Sequence, residues 1–356
     1  MHIRFMVSQP TTSRTVWLTE MSDTQLDTRA LQKTELPFWL SPDAEHVLLV
    51  HGVAEPPHES EIQVASRVVE NDRKAHPSID TIHLNDSDTF TLFDGLQPKH
   101  LVASADEWGR LDLDNYSKLS RPWPLKSLWI ICQEAQHRDK NPDIPSLYES
   151  LTSLGLYRCS RVEFPPSAPF KQLQQVQIFE YDAGTMFADL ALNCLENPDK
   201  LKIVRLHDWE LCDGLSQSSG LLQALQRCSS MQVLELKCNS PIEAMGSATG
   251  EQLLLSKLLP PTLQHLRLRV LPSMVSQMPT WIECAADASW LPHLKTISFR
   301  LDADKSTSQS SEDEDKPPVP HVVISDVEAF LSALKTSHPG VQIDQSWSGV
   351  TPGPLE

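Results

Sequence analysis

The sequence predicts an α/β solenoid, in which a parallel sheet is built from repeated strand–helix units. Four segments share the apolar spacing L-x-x-L-x-L, and their starts lie 30, 32 and 31 residues apart. They are Leu201/Val204/Leu206, Met231/Leu234/Leu236, Leu263/Leu266/Leu268 and Leu294/Ile297/Phe299. Such a period is typical of a solenoid, in which each unit buries its apolar face only against its neighbours.

Helices are predicted between these strands, because apolar residues recur at helical spacing over 186–195, 220–228, 251–259 and 281–290. Short strands alternating with helices favour a parallel sheet with helices on one side, and right-handed crossovers would curl the array into an arc. Earlier strand candidates are 46–52, 79–84, 96–103 and 125–130, and a helix is predicted over 145–154, with Pro145 in its first turn. Two further candidates, 159–164 and 173–178, start only 14 residues apart, so either one repeat is contracted or one segment is misread.

The domain organisation follows from composition. Residues 1–40 are predicted to be mostly irregular, although Arg4 and Arg14 without a nearby acid also fit a mitochondrial presequence. The solenoid spans 41–345, with a disordered acidic insertion at 302–320. A capping unit at 321–345 has Ser325 and Glu328 as the capping box of its helix, and 346–356 is a flexible tail.

Charge and cysteine usage restrict the function classes. The formal net charge of -17 disfavours binding to nucleic acid or to anionic membranes, because phosphate would be repelled. The sequence contains no run of 18 apolar residues, so no membrane span is predicted. The seven cysteines are odd in number and form no C-x-x-C, which favours free buried thiols in a cytoplasmic or nuclear protein.

The repeats resemble leucine-rich-repeat proteins of the ribonuclease-inhibitor type, and also the irregular solenoids of F-box/leucine-rich-repeat proteins. This resemblance implies a horseshoe with a curved parallel sheet on the concave face and helices on the convex side. The family usually has Asn or Cys three residues after the third apolar position. That place holds Trp209, Asn239, Leu271 and Asp302, so the resemblance rests mainly on the apolar spacing.

The candidate binding residues lie between the leucines of each repeat, where strand alternation places them on the concave face. The predicted partner-binding residues are Trp129, Ile131 and Phe179 in an exposed apolar zone, and Arg205, His207, Lys237, Arg267, Arg269 and Arg300 in a basic zone. Glu235 is the one acid at these positions of the later repeats. The hypothesis is a non-catalytic scaffold that binds a protein or acidic peptide. The alternative is that long basic side chains cover the sheet and pair with nearby acids.

Two serines are predicted to regulate this surface. Ser310 and Ser311 precede the acidic run 312–315 and resemble sites of acid-directed kinases. The acidic run lies next to the basic zone in the chain and would occupy it, with phosphate strengthening the contact.

Two other functions stay open. A substrate receptor or adaptor of a ubiquitin ligase, with ligase subunits as partners, is suggested by the F-box resemblance and by Leu36-Pro37 near the start. A degenerate α/β-hydrolase is suggested by the apolar strand that ends in His51-Gly52, but the G-x-S-x-G elbow that class requires is missing from the sequence. No catalytic residue, cofactor or metal site is predicted, since no Walker loop, G-x-G-x-x-G or H-E-x-x-H occurs.

Overall fold

The chain divides into two units, residues 1–173 with 352–356 and residues 174–351, and each contains parallel strands. The computed structural model describes residues 2–5, 15–22, 25–29, 46–51, 81–84, 97–104, 119, 121–131, 145–157, 159, 164, 170–180, 183–208, 220–237, 245–246, 252–270, 277–301 and 321–344. The predictions for the insertion at 302–320, for Ser310 and Ser311, and for the tail at 346–356 lie outside these residues. So does Leu36-Pro37.

The first unit contains a mainly parallel sheet. Its elements are β1 (His2–Phe5), β2 (Thr15–Ser22), β3 (Gln25–Arg29), β4 (His46–His51), β5 (Thr81–Leu84), β6 (His100–Ser104), β7 (Ser127–Ile131), α1 (Pro145–Glu149) and β8 (Ser153–Tyr157). Strands β4 to β8 pair in parallel in chain order, and β2 pairs in parallel with β4. Strand β3 runs antiparallel to β2, and β1 antiparallel to β4.

Two predictions for this unit differ from the structure. Residues 1–40, predicted to be mostly irregular, contain the strands β1, β2 and β3. The helix predicted over 145–154 ends at Glu149, and strand β8 follows it.

Strand β8 also explains the 14-residue interval between two predicted strands. Leu151, Leu154 and Leu156 have the L-x-x-L-x-L spacing and are at most 1% exposed. This repeat lies between those that start at Leu125 and Leu173, so β8 supplies a repeat that the sequence analysis did not identify. Residues 160–163 of the other candidate strand lie outside the described residues.

The second unit alternates strands and helices over its described residues. Its elements are β9 (Gln175–Glu180), α2 (Ala183–Asp189), β10 (Ile203–Asp208), α3 (Leu221–Gln226), β11 (Val233–Lys237), β12 (Met245–Gly246), β13 (Gln252–Leu253), α4 (Leu255–Leu258), β14 (His265–Val270), α5 (Met278–Ala286), β15 (Thr296–Leu301), α6 (His321–Ser337) and β16 (Gln342–Ile343). Strands β9, β10, β11, β14, β15 and β16 pair in parallel in that order, while β12 and β13 form a separate antiparallel pair. The α/β class with a parallel sheet is thus confirmed.

The repeated leucines form the core of the second unit. Val204, Leu206, Leu234, Leu236, Leu266 and Leu268 are all 0% exposed. Full burial of one such side chain contributes about 1.5–3 kcal/mol. Helix α2 packs against β9 and β10, and the rings of Trp281 in α5 and Phe330 in α6 contact Phe299 in β15. The helices therefore cover the leucine face, and strand alternation places the intervening residues on the other face.

One backbone hydrogen-bond pattern recurs at the start of the strands. The carbonyl of the residue after the first position of the repeat, which is leucine, methionine or proline, accepts two amide hydrogens from the same place in the next repeat. In the second unit, the Gln174 carbonyl accepts from Lys202 and Ile203, the Lys202 carbonyl from Gln232 and Val233, the Gln232 carbonyl from Gln264 and His265, and the Gln264 carbonyl from Lys295 and Thr296. The Lys99 and Lys126 carbonyls do the same in the first unit. Repeats of different length therefore enter their strands in the same way.

Helix α6 is the last helix of the second unit and precedes strand β16. It begins at His321, so Ser325 and Glu328 lie inside the helix and the predicted capping box at its start is wrong. Phe330, Trp281, Trp290 and Phe299 form an aromatic cluster with ring centroids 4.9–6.4 Å apart. Ser337 Oγ donates to the Ala285 carbonyl, and His338 Nε2 donates to the Trp290 carbonyl over 2.6 Å. These contacts hold the end of α6 against α5.

Among the described helices, none has both the length and the apolar character that a membrane crossing requires.

Candidate functional site

The predicted basic zone lies on one face of the second unit's sheet, which we call the arginine face. Parallel register aligns its residues in three rows that cross the strands. The first row is Gln175, Ile203, Val233, His265 and Thr296; the second is Gln177, Arg205, Glu235, Arg267 and Ser298; the third is Phe179, His207, Lys237, Arg269 and Arg300. Residues that are separated by about 30 positions in the sequence thus become neighbours about 4.8 Å apart.

Glu235 is the centre of the second row. It is 6% exposed, and its Oε1 accepts a hydrogen bond of 2.9 Å from Nε2 of His207. Its Oε2 lies 3.4 Å from Nε of Arg205 and 4.0 Å from an Nη of Arg267. One buried carboxylate therefore contacts cationic or hydrogen-bonding side chains from both neighbouring strands.

These neighbours keep Glu235 ionised. Burial by itself would raise the pKa of its carboxyl, because a charged group loses hydration in the interior. The hydrogen bond from His207 and the charges of His207, Arg205 and Arg267 act in the opposite direction and prevail, so the pKa lies below its ordinary value. Glu235 is therefore an acceptor, and His207 must carry hydrogen on Nε2.

The ring of His207 has little freedom. It is 6% exposed and meets Phe179 edge to face, with centroids 4.7 Å apart. Its Nδ1 is buried and has no hydrogen-bond partner in the described part of the chain. The Glu235 bond and the Phe179 contact together fix its position. His207 thus supports the site from within rather than facing a partner.

Arg205 and Arg267 present the accessible positive charge of the second row, with side chains 35% and 39% exposed. Arg205 donates to Oε1 of Gln177 over 3.2 Å. Arg267 lies 3.6 Å from Oδ2 of Asp344, which follows β16. Within the described residues Arg267 has ion-pair contacts but no hydrogen bond. Since a guanidinium has five N–H donors, both arginines keep donors for a further carboxylate.

The first row is neutral and partly apolar. Ile203 and Val233 are adjacent in register and half-buried. Nδ1 of His265 lies 2.8 Å from the Thr296 hydroxyl. Burial, followed by the charges of Lys295 and Arg267, lowers the pKa of His265, so this imidazole is neutral at pH 7. The row thus offers branched apolar side chains beside the arginines.

The predicted apolar zone is not exposed. Trp129 is 6%, Ile131 4% and Phe179 5% exposed. Trp129 lies over Gly155 of the next strand in the first unit, where an added Cβ would come 2.1 Å from the indole ring. Alternation in the sequence places a residue on a face, but it does not tell whether other groups cover that face. The prediction that these three side chains are exposed anchors is therefore wrong.

Sequence reasoning missed three residues of this face. Ile203 and Val233 occupy the place just before the second apolar position, which the register also turns to the arginine face. That signal was available in the sequence. Asp344 reaches Arg267 only because β16 pairs with β15, and its amide donates to the Ile297 carbonyl over 2.8 Å. No pattern in the sequence predicts that contact.

Three of the four cysteines in the described part of the chain are buried. Cys159, Cys194 and Cys228 are buried and form no disulfide, which confirms the prediction of buried thiols for these three. Burial raises the pKa of Cys228 to about 12 and also raises the pKa of Cys194. Across the described ranges, no three His, Cys, Asp or Glu side chains come together as a metal site would require.

Comparison of the chain with protein families, with curated protein sequences and with solved structures finds no match in any of the three. The fold and the arginine face define an α/β protein whose parallel sheet carries a cluster of basic side chains on one face.

Proposed function

We propose that this chain is a non-catalytic scaffold that binds an acidic protein or peptide on the arginine face. One observation supports this most: Arg205, Lys237, Arg267, Arg269 and Arg300 converge on one sheet face of a chain whose net charge is -17. Two carboxylates, Glu235 and Asp344, lie among them. Charge of opposite sign on a partner would speed encounter and orient docking.

We also infer that the fold is a leucine-rich-repeat-like solenoid. The L-x-x-L-x-L spacing, the parallel register and the shared backbone hydrogen bond at the strand starts support this. In such a solenoid the sheet curves with its helices outside, and the arginine face is the concave face. We propose that an acidic protein or peptide binds the arginine face without any cofactor or metal.

A reducing compartment, cytoplasm or nucleus, suits the buried thiols, which form no disulfide among the described residues. Burial raises the pKa of Cys194, Cys228 and Cys284, and the thiolate is the reactive form of cysteine. We therefore propose no catalytic role for these three thiols.

An affinity capture with a charge-reversed variant tests the scaffold. Arg205, Arg267 and Arg269 are replaced together by Glu, and proteins retained from an extract are compared with those on the wild type. The matched control replaces the exposed Lys200, Lys257 and Lys335 by Glu, away from the arginine face. Circular dichroism confirms that both variants are folded.

We expect acidic partners to be lost from the first variant and kept by the control. If both folded variants retain the same proteins as the wild type, the arginine face is not the binding surface.

A further inference from the structure

We propose that the arginine face binds a phosphorylated serine or threonine of the partner, whose phosphate lies over Glu235 between Arg205 and Arg267. This inference rests on the proposed function and names the chemical group that the acidic partner presents. The phosphate would occupy one defined position on the sheet, which a general attraction between charged surfaces does not require.

Arg205 and Arg267 converge on one point of the sheet. Nε of Arg205 lies 3.4 Å and an Nη of Arg267 lies 4.0 Å from the same oxygen, Oε2 of Glu235. The two nitrogens are therefore no farther apart than the sum of these distances, although β11 separates their strands β10 and β14. Two hydrogen bonds of about 2.8 Å and the width of one phosphate span that interval. A single anion over Glu235 thus reaches both guanidinium groups.

Lys237 provides a third cation beside this point. It follows Glu235 by two residues on β11, so it lies on the same face of the sheet, about 6.6 Å further along the strand. Three cations on three adjacent strands therefore surround one position. A phosphomonoester has three terminal oxygens that accept hydrogen bonds in different directions, whereas a carboxylate has two oxygens in one plane. The three-sided arrangement suits the phosphate better.

The charge around this position also favours a dianion. The second and third rows of the arginine face hold five cations, and Glu235 and Asp344 are the two carboxylates that accompany them in the described part of the chain. The surplus is three positive charges. A phosphomonoester carries a charge of about -1.5 to -2 at pH 7, so it neutralises more of this surplus than one aspartate or glutamate does.

Glu235 positions the two guanidinium groups before a partner binds. Its carboxylate is buried and held by the hydrogen bond of 2.9 Å from His207. Each arginine has five N–H donors, so contact with Glu235 leaves donors for a phosphate on the solvent side. Side chains that are already held in place lose less conformational entropy when they bind.

One phosphate suits this surface better than a nucleic acid does. A run of phosphates would bring further negative charge next to Glu235 and Asp344, which lie within 4.0 Å of the arginines. The net charge of -17 opposes binding of an extended polyanion at longer range. A single phosphorylated side chain meets only the local positive surplus.

Three labelled peptide mixtures test the proposal by their retention on the immobilised full chain. The mixtures differ only at the central residue, which is phosphoserine, glutamate or serine, and their flanking positions are randomised. Randomised flanks make the comparison independent of the partner's sequence. Circular dichroism confirms that each variant of the chain is folded.

We expect the phosphoserine mixture to be retained about five- to tenfold more than the glutamate mixture, and the serine mixture least. Arg205→Gln and Arg267→Gln should each remove most of this preference. Arg267→Lys should keep only part of it, because lysine retains the charge but lacks the guanidinium fork. Lys237→Gln should weaken retention of the phosphoserine mixture more than that of the glutamate mixture. Lys257→Gln, exposed on α4, is the matched control and should change neither.

Three outcomes would overturn the proposal: equal retention of the phosphoserine and glutamate mixtures, no retention of either above the serine mixture, or displacement of the phosphoserine mixture by a short DNA duplex at a lower concentration than by the unlabelled mixture itself.

The affinity capture with the charge-reversed variant separates this proposal from the scaffold function. We expect phosphatase treatment of the extract to remove the same partners that the charge reversal removes. If the charge reversal removes partners but the peptides show no preference for phosphate, the scaffold function stands and the phosphate assignment is wrong. If the charge reversal removes no partner, the scaffold function itself fails.

Discussion

Oε1 of Glu235 lies 2.9 Å from Nε2 of His207, and both residues are 6% exposed. The pair joins the second and third rows of the arginine face across β10 and β11. An ionised carboxylate is thus buried under the two arginines that face solvent. Such a group costs hydration energy, and it is retained only because three side chains compensate its charge and hydrogen bonds.

The stability of the second unit should depend on this carboxylate in acid. The fold holds the pKa of Glu235 below its ordinary value of 4.5. Its contribution is therefore complete above that ordinary value and is lost as the pH falls through the lowered pKa. Urea denaturation of the wild type and of Glu235→Gln measures this contribution as the difference between their free energies of unfolding.

We expect this difference to be constant from neutral pH down to about pH 5 and to narrow below it, because only the wild type must protonate the group. A difference that is unchanged at the lowest pH at which both proteins fold would contradict the ionised state of Glu235.

The substitution Glu235→Gln, which should lower the stability of the second unit, should raise its affinity for an acidic partner. Glu235→Gln removes one negative charge beneath Arg205 and Arg267 and keeps an amide oxygen that accepts from His207. We expect a labelled acidic peptide to bind the arginine face of this variant about two- to fivefold more tightly than that of the wild type, with a stronger dependence on salt. Anisotropy titrations at low and high ionic strength measure both effects. Weaker binding by this variant, with its fold intact, would show that Glu235 contacts the partner favourably.

The spacing of leucines predicted the strands of the second unit because the L-x-x-L-x-L pattern occurs once at each of the strands β10, β11, β14 and β15. In the first unit the same rule missed β8, since Gly155 weakens the strand signal and Pro145 marks a helix start just before it. The basic zone was predicted by aligning equivalent positions of the repeats. The hydrogen bond between Glu235 and His207 joins two adjacent rows of the face, and aligning equivalent positions of the repeats does not predict contacts between different rows. The burial of Trp129 depends on tertiary packing, which strand alternation does not predict.

Gly155 should be the least replaceable described glycine. A Cβ there would lie 2.1–2.4 Å from ring atoms of Trp129, which is itself buried. Gly155→Ala must displace the indole and should cost about 1–3 kcal/mol or more. Hydrogen exchange at β7 and β8 measures the effect where it arises. Gly340→Ala is the matched control, because nothing lies within 4 Å of its added Cβ. Unchanged exchange in β7 and β8 would argue against the Trp129 contact.

Cys228 should resist alkylation while the chain is folded. Burial raises its pKa to about 12, and its thiol lies 3.3 Å from the Ala224 carbonyl. At pH 8 only about one thiol in ten thousand is then ionised. We expect iodoacetamide to modify Cys228 in urea but not in buffer, as mapped by peptide mass spectrometry. Modification in buffer at the rate of an unstructured cysteine peptide would show that the α3 region opens readily.

The contact of α6 with the sheet should depend chiefly on Phe330. This side chain is 0% exposed and has ring centroids 4.9 Å from Phe299 and 5.7 Å from Trp281. Phe330→Ala leaves a cavity in the aromatic cluster and should cost about 3–5 kcal/mol. Since α6 leads directly into β16, we expect amide exchange to rise in both elements. Ser332→Ala, exposed on the same helix, is the control and should not change exchange.

The same substitution reports how far the terminal helix is coupled to the arginine face. Asp344 pairs with Arg267 only while β16 stays on β15, so release of β16 removes this acid from the second row. We therefore expect Phe330→Ala to bind an acidic peptide more tightly while β10 and β11 keep their protection from exchange. If β10 and β11 lose protection to the same extent as α6, the second unit unfolds as a whole, and α6 is part of its core rather than a detachable end.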